Sequence, residues 1–191
     1  MNNILFYDTE TSGKADFKAP PDAPHQPRLL QLAAIMTTPD NKMVGQFYCI
    51  IKPDGWTIDP EAEAIHGISL EFATANGIPL NAAMSMFELF ATVCKCKVCH
   101  NSDFDSRIMI GESIRLGIAG IQPKLHFCTM KAMTNICQLP NTNRGGFKWP
   151  KLAEAYQFAT GKTLEGAHDA LADVQACRDI YFWMKQRSQS K

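Results

Sequence analysis

Five residues carry the potential chemistry of this 191-residue chain: Asp8, Glu10, Asp105, His168 and Asp173. Ile4-Leu5-Phe6-Tyr7 runs apolar into Asp8-Thr9-Glu10, as a buried strand would on delivering two acids to its C-terminal end. Side chains alternate along a strand, so Asp8 and Glu10 share a face and can share one cation. Carboxylates at the edge of a core are costly unless they are paired or hold a metal. A set of oxygen ligands suits Mg²⁺ or Mn²⁺ rather than zinc. Alone, an Asp-x-Glu reads best as a strand running out into a solvated turn. The other three residues change that reading. Asp105 closes Val98-Cys99-His100-Asn101-Ser102-Asp103-Phe104-Asp105, a second short apolar run feeding a polar turn. His168 and Asp173 flank the start of the last helix, where Gly166 breaks the chain and Asp169 reads as an N-cap. Ala170, Val174, Cys177, Tyr181 and Met184 recur at about helical spacing, so this helix packs on a core. Asp173 lies one turn into it and His168 just before it.

In this order, Asp-x-Glu, Asn-x-x-Phe-Asp and His-x-x-x-x-Asp resemble the motifs of the DEDD 3′–5′ exonucleases, histidine subfamily. The resemblance spans about residues 3 to 186. It implies a ribonuclease H-like α/β fold, a mixed sheet with helices on both faces, as one domain over residues 1–191. It also implies hydrolysis of phosphodiesters by a two-metal mechanism. Two divalent ions about 3.5–4 Å apart clamp the attacking and leaving oxygens in such sites, and four carboxylates supply the charge to hold them. By resemblance, Asp8 bridges both ions, Glu10 and Asp173 complete the first, and Asp105 serves the second. His168 is then the general base, a role that suits an imidazole of ordinary pKa, about 6.5. The cofactor expected is Mg²⁺, as two ions, with Mn²⁺ substituting. The expected substrate is nucleic acid with a free 3′ end, single-stranded DNA favoured over RNA, with release of nucleoside 5′-monophosphates. The alternative is an exoribonuclease acting on RNA 3′ ends.

The same resemblance names substrate contacts. Asn101 orders the turn near Asp105, and Phe104 either stacks on the terminal base or is plain core. Ala64-Ile65-His66-Gly67-Ile68 resembles the segment that touches the 3′-terminal nucleotide. There Ile68 is the wedge against a base, and His66 either shapes the pocket or ends a surface helix before a Gly67 cap. Thr11 offers contacts to the terminal sugar. Asp103 and Asp169 sit off the motif spacing and read as turn and cap residues.

Whole-chain properties fit an ordinary globular domain. Nineteen basic and nineteen acidic residues cancel, so no global basic field draws in nucleic acid. Any attraction is local: Lys124, Lys131, Arg144, Lys148 and Lys151 either rim the cleft, with Phe147 and Trp149 stacking on bases, or are ordinary surface. Cys94-Lys95-Cys96-Lys97-Val98-Cys99 has the look of a zinc cluster, but no second Cys-x-x-Cys exists. Strand alternation would put Cys94 and Cys96 with Val98 on one side and Cys99 opposite, as small packed hydrophobes. Seven cysteines, an odd count, without a signal peptide predict a cytoplasmic location. No apolar run reaches membrane-spanning length, so no membrane partner is expected. With no accessory domain in the sequence, tight processivity would call for a partner or a homodimer.

The patterning predicts strands at about 3–9, 29–37, 45–52, 96–100 and 125–128. It predicts helices at about 60–66, 80–93, 105–116, 129–136, 150–159 and 170–187. Three strands come first and helices alternate with strands afterwards, the order of an α/β mixed sheet. Two irregular stretches remain: 14–27, with four prolines directly after Glu10, reads as a lip of the cleft. Residues 138–149 read as a flap or as passive connection.

Overall fold

The computed structural model describes residues 2–118, 125–142 and 145–189. The elements run β1 (Asn3–Thr11), β2 (Leu29–Thr37), β3 (Met43–Ile50), α1 (Pro60–His66), α2 (Leu70–Asn76) and α3 (Leu80–Thr92). They continue with β4 (Cys94–Cys99), α4 (Ser102–Arg115), β5 (His126–Cys128), α5 (Thr129–Cys137), α6 (Leu152–Thr160) and α7 (Ala170–Gln189). The five strands form one sheet in the order β3-β2-β1-β4-β5. β1 pairs antiparallel with β2 and parallel with β4, which places its acidic end in the middle of the sheet. This is the mixed sheet the sequence predicts.

Alternation along β1 builds two cores. Leu5 and Tyr7 pack with Leu32, Ala34, the α3 residues Met84 and Phe87, and the α4 residues Ile108 and Met109. Ile4 and Phe6 pack on the other face with Ala33, Ile35, Val98 and the α7 residues Ala170, Val174 and Cys177. α6 lies outside α7, joined through Met133, Ala155 and Ile180. Helices therefore cover both faces.

The structure corrects two details. α2 falls where no helix was predicted. It is one short element with a single buried residue, Ala73, and it is opened by Ser69, whose hydroxyl accepts from the Phe72 N–H (3.0 Å). The register of β1 on β4 shifts between Asn3 and Ile4, so Asn3 faces Cys94 while Ile4 faces Cys96. That bulge turns Cys94 into the same core as Cys99, with Cys96 alone on the Val98 side. All seven cysteines are free thiols, and burial raises the pKa of Cys96 and Cys99. Three thiols split between two faces of the strand do not converge on one zinc ion.

The proline-rich stretch is pinned down. The buried Gln26 amide donates to Asp16 O (2.7 Å) and Pro20 O (3.0 Å), and Arg107 of α4 donates to Asp16 O (2.8 Å) and to Ala19 O. At Gly111 a side chain would meet the Pro21 carbonyl oxygen at 2.3 Å, so glycine lets this segment lie directly on α4. Where the segment meets β2, fully buried Glu112 accepts from Arg28 Nε (2.8 Å) and the Leu29 N–H (2.9 Å), with Arg115 at 3.3 Å. No helix among the described residues is long and apolar enough to cross a membrane.

Candidate active site

Three elements bring the acids together. Asp8 and Glu10 leave β1 on the α7 face, both half-buried. Gln31 of β2 fixes the start of α7: its Oε1 accepts from the Ala170 N–H (2.9 Å), and its Nε2 donates to Asp169 Oδ2 (3.4 Å). Asp169 caps the helix as predicted, its Oδ1 accepting from the N–H groups of Leu171 (3.0 Å) and Ala172 (3.1 Å). Asp173 follows one turn in, 8% exposed. Its Oδ2 accepts from the His168 N–H (3.2 Å), and its buried Oδ1 has no hydrogen-bond partner among the described residues. His168 sits at φ +70°, a conformation that costs a non-glycine residue about 1 kcal/mol. Its side chain stays exposed at the mouth of the site. Glu10, His168 and Asp173 each present a ligand atom within 4.8 Å of the others.

Asp105 arrives from the other side of β1. Asn101 at φ +71° turns the chain out of β4, and its carbonyl accepts from the Phe104 N–H (2.9 Å), so α4 begins three residues earlier than predicted. Asp105, 2% exposed, lies in the first turn, and its Oδ1 accepts from Thr9 Oγ1 (2.8 Å). Thr9 was not singled out in the sequence, yet alternation turns it away from Asp8 and Glu10 and toward α4.

Electrostatics shows what this packing costs. Burial, then the neighbouring acids Asp105, Asp173 and Glu10, push the Asp8 pKa well above the carboxylate range. Burial first, then Asp173 and Asp105, raises Glu10 to about 8. Burial lifts Asp105 to about 7 against the pull of the Thr9 bond, and lifts Asp173 to about 6 against that of the His168 N–H. Among the described residues no lysine or arginine forms an ion pair with any of the four; the basic side chains pair elsewhere. Clustered carboxylates without counter-charge, one with an orphaned oxygen, fit hard divalent cations by their donor chemistry. These residues would hold them.

A cavity of about 310 Å³ opens beside Glu10, walled by Thr11, Phe17, Ile65, His66 and Phe104. Phe104 packs on the core and also lines this cavity. His66 likewise ends α1 before Gly67 at φ +71° and lines the cavity. Its Nδ1 accepts from the Ile68 N–H (3.0 Å), and burial lowers its pKa. Thr11 spends its hydroxyl proton on Gly13 O (2.7 Å). Asn101 acts through its backbone and is not on the cavity wall. Ile68 is a correction: it is 7% exposed, inside a cluster with Leu30, Ile50, Ile58 and Ala73, and so no wedge. The left-handed turn at Gly67 sends it inward, and Ile65, 53% exposed, faces the cavity instead. Phe17 was also missed; Arg107 lies 5.4 Å from its ring centroid. Of the proposed basic rim, Lys148 pairs with Glu154 (2.6 Å) and Lys131 with Asp103 (2.7 Å). Lys124 and Arg144 lie outside the described residues. Phe147 and Trp149 remain exposed.

Comparison with known proteins assigns the chain to a family. The family model described as Exonuclease, of the RNase T type, matches residues 5–181, and the chain belongs to that family. No curated protein sequence matches the chain. Among solved structures it is similar to Escherichia coli exonuclease I bound to a dT13 oligonucleotide, with 25% identity and a TM-score of 0.80. That match covers 100% of this chain and 42% of that one. The complex of the same enzyme with dA16 gives the same values. A product-bound form gives 24% and 0.77, covering 99% of this chain and 44% of that one. The chain thus spans about two fifths of the length of exonuclease I.

Proposed function

We propose that this member of the exonuclease family removes nucleoside 5′-monophosphates from the 3′ ends of single-stranded DNA, with two Mg²⁺ ions as cofactor and Mn²⁺ able to replace them. The observation that carries the proposal is the convergence of Asp8, Glu10, Asp105 and Asp173, without counter-charge, beside a cavity with two phenyl walls. The ions, when bound, activate the attacking water and neutralise the charge that develops on the leaving oxygen. Thr9 holds the Asp105 carboxylate in one orientation, and the His168 N–H does the same for Asp173. Those bonds leave Asp8, Glu10 and the free Asp173 oxygen to face the ions. His168, exposed and within reach of Glu10 and Asp173, takes the proton of the attacking water on a ring nitrogen. Phe17, Phe104 and Ile65 receive the terminal base in the cavity, and Thr11 and His66 flank its sugar. The preference for single-stranded DNA rests on the likeness to exonuclease I in complex with oligonucleotides of dT and dA.

The test uses 5′-labelled single strands of matched sequence, one DNA and one RNA, with Mg²⁺ and with an Asp8→Ala control. The expected result is a ladder shrinking from the 3′ end, faster on DNA, made by the wild type alone. A faster RNA ladder would reassign the sugar. A ladder from Asp8→Ala would remove the carboxylate site from the reaction.

A further inference from the structure

On the other face of the sheet lies a second cavity, about 250 Å³, and its floor holds a charge the nuclease reading does not use. Lys97 of β4 is 6% exposed. Its ammonium lies 5.6 Å from the Phe87 ring centroid, and among the described residues no carboxylate or carbonyl bonds it. The chain outside the described residues carries no Asp or Glu side chain that could do so. A lysine this deep without a partner is costly, and burial accordingly depresses its pKa. Phe87, Met109 and Ile110 make the walls apolar. Opposite them runs a hydroxyl chain, from Tyr7 OH to Ser106 Oγ (3.2 Å) and on to His126 Nδ1 (3.1 Å). Asp103 also reaches the cavity, with both of its oxygens held by Lys131 (2.9 and 2.7 Å).

We propose that this cavity between β4 and α4 is a second binding site, for a small organic monocarboxylate with an apolar body, whose carboxylate pairs with the Lys97 ammonium. One uncompensated positive charge calls for one negative charge, and the Asp103 carboxylate disfavours a dianion. The apolar walls call for an apolar body, which a bare inorganic ion lacks. Tyr7 points away from Asp8 and Glu10, and Asp105, on the cavity's side of β1, turns its carboxylate to Thr9 (2.8 Å) rather than to Lys97.

The test is calorimetric titration of the whole chain with benzoate, in EDTA so that the acidic cleft plays no part. Lys97→Met keeps the stem and removes only the buried charge; Ile110→Trp fills the mouth from a residue 44% exposed and leaves Lys97 in place. The wild type binds benzoate saturably at one site, Lys97→Met binds it roughly tenfold or more weakly, and Ile110→Trp does not bind it. Inorganic phosphate binds far more weakly than benzoate. Absence of saturable benzoate binding, or equal affinity in wild type and Lys97→Met, overturns the site. Should Lys97→Met not fold by circular dichroism, benzoate binding to Ile110→Trp at wild-type affinity overturns it as well. Phosphate binding as tight as benzoate overturns the assignment to an apolar monocarboxylate.

Discussion

Stripped of divalent ions, this protein loses stability as the pH rises from about 5 to about 8. The perturbation acts on Asp8, Glu10, Asp105 and Asp173, whose native pKa values all lie above those of an unfolded chain. Above about pH 4.5 an unfolded carboxyl has released its proton, while the native Glu10 keeps its own to about 8. The unfolded state therefore binds fewer protons, and unfolding becomes easier with each step upward in pH. The stabilisation is complete below the unfolded pKa values and is lost as the pH passes through the native ones, about 6 for Asp173, 7 for Asp105 and 8 for Glu10. For Glu10 alone, at about 1.4 kcal/mol per pH unit, the loss is on the order of 5 kcal/mol. The four do not add in full, because each proton relieves its neighbours. In a chain of this length 1 kcal/mol moves the midpoint by about 2–4 °C, so the melting temperature should fall by about 10–20 °C. Calorimetric melts in EDTA across this range measure it. Mg²⁺ should restore the loss at pH 8 and do little at pH 5, where protons occupy the carboxylates. A melting temperature that stays flat or rises with pH in EDTA would refute the electrostatic reasoning.

Thr9→Val keeps the shape of a buried side chain and removes its bond to Asp105; it should cost about 1 kcal/mol in urea unfolding and lower kcat more than it raises KM. Glu112→Gln leaves Arg28 and Arg115 without their buried counter-charge and should lower the urea midpoint by the equivalent of about 3 kcal/mol, loosening the segment at residues 14–27 with it. His168→Ala should lose most of its rate near neutral pH and regain part of it at alkaline pH, where water ionises more readily; a pH–rate profile identical to wild type would take the proton-accepting role from His168.

Much of the site could be read without coordinates because its parts announce themselves locally. An apolar run ending in Asp8 and Glu10, and a capped helix carrying Asp173, are short-range patterns, and the mixed α/β sheet follows from the order of elements along the chain. What stayed hidden depends on partners far away or on single backbone angles. Ile65 and Ile68 exchange places because Gly67 turns left-handed, a choice with no periodic signature. Cys94 changes sides because of one bulge at the start of β4, where Lys95 is the extra residue. Glu112 looks like a surface acid on α4, and its burial rests on Arg28, 84 residues earlier. α2 escaped because seven residues with one buried alanine leave almost no hydrophobic pattern; Ser69 as a cap was the one available signal. Lys97 reads as exposed in an alternating strand until α3 and α4 close over it.

The central claim is that these four carboxylates run a metal-dependent cleavage at the 3′ end. Its most direct test is mass spectrometry of what a single-stranded DNA releases, in Mg²⁺ and in EDTA, from the wild type and from Asp173→Asn. The account predicts nucleoside 5′-monophosphates from the wild type in Mg²⁺ and nothing from the other three combinations. Release in EDTA, release by Asp173→Asn at the wild-type rate, or products carrying a 3′-phosphate would contradict it.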